Sequence, residues 1–219
     1  MVRLVVFDWD GTLMDSVSGI VRAMQAAALQ AKLPVPDDDV IKSIIGLGLR
    51  DALYQLFPFD MDESQVNIFL AAYRDFIHRE EMEELGLFDG VTEVLETLRD
   101  QGFQMAVATG KGREGLERAF SVTGIKHFFA SSRCVSEAHS KPHPQMLQQL
   151  MSELDQHPEQ TLMIGDSVHD LQMAASAGVA GLAVSYGCQS ESVLRTAPHR
   201  ACLSDIAELP SWLQSFVAE

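Results

Sequence analysis

The sequence predicts an α/β protein with a mostly parallel sheet core and an all-helical cap inserted after the first strand. Three observations predict it. Short, β-branched apolar runs alternate with helical patterns along most of the chain, as βαβ units do. Residues 16–84 interrupt that alternation with helical patterns alone. Clusters of polar, chemistry-bearing residues sit directly after the apolar runs, where open α/β sheets bind ligands.

The first run, Val2 to Phe7, is almost continuously apolar, the pattern of a strand buried on both faces. The insert then reads as helices over Ile20 to Leu29, Val40 to Ile45, Leu49 to Phe57 and Val66 to Ile77. In the last of these, Val66, Phe69, Leu70, Tyr73, Phe76 and Ile77 keep helix spacing and read as core packing. Hinges are expected near Ser16 and the Glu84 to Phe88 stretch, which divides the chain into an α/β core, residues 1–15 and 85–219, and a helical cap, residues 16–84. Past the insert, a helix over Gly90 to Asp100 has Asp89 as its candidate N-cap, followed by a strand over Phe103 to Ala108 and a helix over Arg113 to Thr123. A helix over Pro144 to Leu154, a strand over Thr161 to Ile164, a helix over Val168 to Ala177 stopped by Gly178, and a strand over Val179 to Val184 complete a Rossmann-like frame.

With 219 residues, 47% of them hydrophobic, the chain can bury a large core and a small insert. Its 31 acidic residues outnumber 16 basic ones, for a net charge of -15, so the molecule repels nucleic acid and anionic membranes at long range. An anionic substrate must then be drawn by a few local cations and backbone dipoles. Cys134, Cys188 and Cys202 lack C-x-x-C spacing and read as reduced thiols. The apolar run at the N-terminus is too short for a signal segment and is broken by Asp8 and Asp10, and no stretch approaches the roughly 20 apolar residues of a membrane span. The expected location is the cytoplasm.

Four segments carry chemistry. The first is Asp8-Trp9-Asp10-Gly11-Thr12-Leu13-Met14-Asp15-Ser16, which places two carboxylates just beyond a buried strand. Crowding like charges there is costly unless a cation neutralises them. Alone, D-x-D-G is equally a strand running into an Asp-Gly turn. The second is Gly165-Asp166-Ser167-Val168-His169-Asp170, where two carboxylates four apart share one face of a helix start; capping by Asp166 or Ser167 would explain it in isolation. Together the two strand ends gather hard oxygen donors suited to Mg²⁺. In the third, Ala106-Val107-Ala108-Thr109-Gly110-Lys111, a strand enters a small-residue turn whose hydroxyl and N–H groups can hold phosphate oxygens. The fourth, Ser140-Lys141-Pro142-His143-Pro144, stiffens the chain around a lysine that can serve as counter-charge.

These segments, in this order and with a helical insert after the first, resemble the haloacid dehalogenase-like superfamily, and in particular its phosphoglycolate-phosphatase-like members with a small helical cap. The resemblance extends to about Tyr186. It implies that Asp8 is the nucleophile and Asp10 the general acid/base, that Thr109 and the N–H of Gly110 bind phosphate, and that Lys141 neutralises charge. It also implies Mg²⁺ on Asp8, Asp166 and the carbonyl of Asp10, with Asp170 a ligand or immediately behind one. Ile45-Gly46-Leu47-Gly48-Leu49-Arg50 falls where such caps present a substrate loop, so Arg50 is a candidate contact to a substrate anion, and Lys111 and Arg113 could reach the pocket mouth. Trp9 departs from the more usual Leu or Phe and reads as packing. His169 reads as a surface or supporting residue.

The implied activity is Mg²⁺-dependent hydrolysis of a small phosphorylated metabolite, phosphoglycolate- or sugar-phosphate-like, through an aspartyl-phosphate, by a monomer or homodimer. Pyrophosphatase or nucleotidase activity is the alternative within the same chemistry. A dehalogenase would need neither Asp10 nor a metal. Mutases of the superfamily carry a cap-side His where this chain has Ile20. A non-catalytic metabolite-binding module would be expected to lack one of Asp8, Asp10, Lys141 or Asp166, and all four are present.

Overall fold

The structure, a computed structural model, describes residues 2–58, 61–83 and 86–218. Its centre is a six-stranded sheet in which every neighbouring pair is parallel, in the order β3-β2-β1-β4-β5-β6. The strands are β1 (Leu4–Phe7), β2 (Gln104–Thr109), β3 (Ser131–Cys134), β4 (Thr161–Gly165), β5 (Ala180–Val184) and β6 (Cys202–Leu203). This doubly wound order reverses direction at β1 and β4, the place where such sheets open a crevice for ligands.

Helices cover both faces of the sheet, and β1 shows why its run is continuously apolar. Val5 and Phe7 pack with α5 (Val91–Asp100), α6 (Arg113–Thr123) and α10 (Leu209–Ala218). Leu4 and Val6 turn the other way, onto α7 (Gln145–Glu153) and α8 (Val168–Ser176). Alternate side chains thus enter different cores, so neither face tolerates a polar residue. A short helix, α9 (Glu191–Leu194), lies between β5 and β6.

Between β1 and α5 the described residues form four helices, α1 (Val17–Gln30), α2 (Asp38–Lys42), α3 (Leu49–Leu56) and α4 (Glu63–Glu83). They bury their own apolar cluster, including Ile20, Met24, Leu53 and Phe69, and among the described core residues outside this segment only Cys188 joins it. The two connections to this segment run side by side: Phe88 N donates to Leu13 O at 3.0 Å and Asp15 N to Gly86 O at 2.9 Å. Glu84, the near end of the second expected hinge, lies outside the described residues, as does Leu85 beside it.

Three details differ from the sequence expectation. β3 reads Ser-Ser-Arg-Cys and is half-exposed at the sheet edge, so it carries no apolar run to detect. β6 is two residues long and equally silent. The N-cap position of α5 belongs to Gly90, at φ 80°, and Asp89 does not cap it; the chain enters the helix through a left-handed turn that glycine adopts without strain.

Candidate active site

Strand register assembles the site. Phe7 lies opposite Val107 of β2 and Ile164 of β4, so the three strands finish at one rim. Asp8 leaves β1 there, its N–H still donating to Ile164 O at 2.9 Å. Thr109 ends β2, and Asp166 follows Gly165 at the end of β4. The next helix adds Asp170: Ser167 caps α8 by accepting from Asp170 N while the Asp170 carboxylate accepts from Ser167 N, a reciprocal capping box. Capping and charge placement are therefore one arrangement here, where the sequence offered them as alternatives.

Asp8, Asp166 and Asp170 are buried, and each offers a carboxylate oxygen within 4.8 Å of the others. Lys141, brought in by the loop before α7, is also fully buried; its Nζ lies 2.5 Å from Asp8 Oδ1 and 2.7 Å from Asp170 Oδ1. Asp170 Oδ2 accepts from Ser167 Oγ at 2.6 Å. Asp166 accepts from Cys188 N at 2.7 Å and from Thr12 Oγ1 at 3.2 Å. Among the described residues, Asp8 Oδ2 has no hydrogen-bond partner.

The electrostatics follow from three buried carboxylates, two of them paired with one buried ammonium. Burial pushes the Asp8 carboxyl well above the ordinary carboxylate range; Lys141 opposes that rise, and Asp170 and Asp166 add to it. Burial, then Asp170, lifts Asp166 to about 6, against the hydrogen bonds from Cys188. Burial works against the charged Lys141, but Asp170 and Asp8 together hold its pKa above the usual lysine value. Uncompensated buried charge costs several kcal/mol per ion. A divalent cation with a preference for hard oxygen ligands fits the unpartnered Asp8 Oδ2 and the surplus negative charge.

Asp10 stands apart from that cluster. Its Oδ1 accepts from Ser16 Oγ at 2.7 Å and pairs with Lys111 Nζ at 3.2 Å. Its side chain is therefore not among the three gathered carboxylates, and only its carbonyl remains as an expected metal ligand. Asp8, Asp10, Thr109, Gly110 and Lys111 line one cavity of about 840 Å³, together with residues of α1, α3 and α4. Arg50 is exposed on the wall of this cavity. Arg113 also lines it, but its guanidinium is spent on Glu137, at 2.7 Å, and on Ser132 Oγ, at 2.8 Å, which ties α6 to the edge strand. Trp9 is fully buried against Phe120, its Nε1 donating to Met14 Sδ at 3.1 Å, so it packs as expected.

The profile of the haloacid dehalogenase-like hydrolases matches residues 5–184. The chain belongs to this family. Among curated relatives, “Probable phosphatase IndB” of Dickeya dadantii is 34% identical over 212 residues, covering 95% of this chain and 92% of that one. Pyrophosphatase PpaX of Bacillus anthracis is 30% identical over 198 residues, covering 89% and 88%. A solved structure from Haemophilus somnus, described as a “predicted phosphoglycolate phosphatase”, superimposes with a TM-score of 0.84 at 26% identity, covering 97% and 98%.

The haloacid dehalogenase-like frame also gives Ser16, Ser140 and the Cys188 amide contacts that the sequence reading did not assign, and gives His169 a supporting one. Ser16 reaches back to Asp10 from the end of the first motif. Its place in that motif was visible, but not its direction. Ser140 Oγ accepts from Gly48 N at 2.8 Å, and His169 Nε2 lies 3.0 Å from Ser43 O, so the loop between α2 and α3 is fastened to the strand-end rim at two points. The amide of Cys188, which holds Asp166, left no signal because a backbone donor has no residue type.

Proposed function

We propose that this protein is a Mg²⁺-dependent phosphatase that hydrolyses a small phosphorylated metabolite through an aspartyl-phosphate on Asp8, with residues 16–84 acting as its cap. The observation that carries the reading is the buried Asp8 carboxylate, lining the cavity with one oxygen on Lys141 and the other unpartnered. Family membership and similarity to phosphatases support it.

Asp8 and Asp166, with the carbonyl of Asp10, would hold Mg²⁺, and Asp170 would support them through its bonds to Lys141 and Ser167. A bound Mg²⁺ supplies screening of the phosphoryl oxygens, without which one anion could not attack another. Lys141 orients Asp8 and adds positive charge beside it. Thr109 and the N–H of Gly110 bind phosphoryl oxygens at the end of β2. The Asp8 carboxylate attacks phosphorus; the bond from phosphorus to the ester oxygen breaks, and that oxygen takes a proton from Asp10. Asp10, now ionised, takes a proton from water as the water oxygen attacks the phosphorus of the acyl-phosphate. The bond between Asp8 and phosphorus breaks, releasing inorganic phosphate and restoring both aspartates. Ser16 and Lys111 keep the Asp10 carboxylate oriented for both proton transfers.

The test separates the two half-reactions. Asp10→Asn with p-nitrophenyl phosphate, whose leaving group needs no proton, is expected to release a stoichiometric burst of nitrophenolate and then stall. Mass spectrometry should then find one phosphoryl group on Asp8. Steady wild-type turnover by the variant, with metal binding intact, would sink the assignment. Pyrophosphate is the second substrate to try, because the PpaX relative is a pyrophosphatase.

A further inference from the structure

We infer that the substrate is a phosphate monoester with a bulky leaving group, carrying an apolar body and a second anionic group, read by one face of α4 with Arg74 as the anion contact. The inference rests on the phosphatase reading above and narrows it.

Leu70, Tyr73, Arg74, Ile77 and His78 all line the cavity that contains Asp8 and Asp10. Their spacing is i, i+3, i+4, i+7, i+8, a stripe on α4 over the catalytic floor, and Asp75 of the same helix lines the cavity beside Arg74. Ile20 and Met24 of α1 continue the wall on one side, and Gly115 and Arg118 of α6 face it from the sheet domain.

Three properties of this space select the leaving group. The first is size. About 840 Å³ falls within the range of roughly 300–1,000 Å³ that encloses drug-sized organic ligands, and a diphosphate ion or phosphoglycolate would leave most of it to water. The second is apolarity. Leu47, Leu49 and Tyr73 line the space and are only partly buried, so they offer hydrocarbon that an all-oxygen leaving group cannot cover, whereas an organic body gains about 25 cal/mol per Å² of apolar area removed from water. The third is charge. Five of the chain's 16 lysines and arginines line this cavity, namely Arg50, Arg74, Lys111, Arg113 and Arg118, against five of its 31 carboxylates.

The reacting phosphoryl group is already served by Lys141 and the Thr109–Gly110 turn at the floor. Lys111 is paired with Asp10, and Arg113 with Glu137. Arg74 and Arg50 are exposed cations on the cap side of the same space. A second anion at the far end of the substrate meets that requirement, and a guanidinium recognises carboxylate or phosphate by paired hydrogen bonds.

The test compares phenyl phosphate with 4-carboxyphenyl phosphate, and both with pyrophosphate and phosphoglycolate, by phosphate release with Mg²⁺ present. We expect kcat/KM for the carboxylated ester to exceed that for phenyl phosphate at least tenfold, and to exceed those for pyrophosphate and phosphoglycolate by more. In Arg74→Ala the ratio between the two aryl esters should collapse to about one, and in Arg74→Glu it should invert. A preference for pyrophosphate or phosphoglycolate overturns the inference, as does an unchanged ratio in both variants. Calorimetric titration with benzylphosphonate and 4-carboxybenzylphosphonate, which cannot be hydrolysed, keeps the two readings distinct. A carboxylate preference in binding, lost in Arg74→Ala, upholds the subsite even if no ester is turned over, an outcome that removes only the phosphatase reading. Equal affinity for the two phosphonates overturns the subsite.

Discussion

Lys141 is the residue on which the charge balance turns. It is fully buried between Asp8 and Asp170, and it is the one ammonium that faces them at under 3 Å among the described residues. Removing one partner from a buried ion pair typically costs about 3–5 kcal/mol, because the remaining charge is left without compensation. Lys141→Met is therefore expected to lose stability by that order at neutral pH, and to lose more than the tenfold in turnover that corresponds to about 1.4 kcal/mol of barrier. Denaturant unfolding and steady-state kinetics with p-nitrophenyl phosphate check the two parts. Near-normal turnover in a folded variant would reduce Lys141 to a structural residue.

At the scale of elements, the loop between α2 and α3 decides how the helical segment meets the sheet. Its Gly48 N–H donates to Ser140 Oγ, and the carbonyls of Gly46 and Leu47 lie over Gly110. A Cβ on Gly110 would stand 2.6 Å from both carbonyl oxygens, closer than real contacts allow. Gly110→Ala keeps the N–H proposed to bind phosphate, so its effect reads loop closure and not a lost donor. The expected outcome is a lifted loop: faster hydrogen exchange at the Gly48 amide and a fall of roughly tenfold or more in kcat/KM, since a slightly misplaced site is costly. Unchanged exchange together with unchanged kinetics would show that the loop accommodates the methyl group and does not gate the site.

Across the whole molecule, pH and metal binding are linked. The Asp166 carboxyl is raised from 3.8 to about 6, and Asp8 is raised as well. Between those values the folded protein holds protons that the unfolded chain has released, so the contribution of this pair to stability weakens as pH rises through the window. A divalent cation binds the deprotonated carboxylates and competes with those protons. The Tm gain on adding Mg²⁺ should therefore be small near about pH 5 and full above about pH 7. Thermal unfolding with Mg²⁺ and with chelator, across that range, measures it. A gain that does not vary with pH would place the cation elsewhere. The expectation also fits the net charge of -15, since a molecule with so few cations has little else to neutralise a buried acidic cluster.

The sequence by itself determined the parallel frame, the helical segment after β1 and the family, because each rests on local pattern. Continuous apolar runs mark strands buried on both faces, helix spacing marks α1 to α4, Asp8, Asp10, Thr109 and Asp166 stand directly beyond those runs, and Lys141 stands just before the helix that begins near Pro144. It could not show β3 or β6, since an edge strand of Ser-Ser-Arg-Cys and a two-residue strand have no periodicity to read. The family resemblance already gave Asp10 only its carbonyl as a metal ligand, but only the tertiary structure shows what holds its carboxylate apart, because that depends on Ser16 and Lys111 reaching the same oxygen from different elements. The stripe from Leu70 to His78 is the clearest case. Leu70, Tyr73 and Ile77 read as core packing, and Leu70 and Ile77 are buried in that core; the cavity that this face shares with Asp8 exists only once α4 is folded across the strand ends. Periodicity fixes which residues share a face, whereas what that face meets is set by contacts distant in sequence.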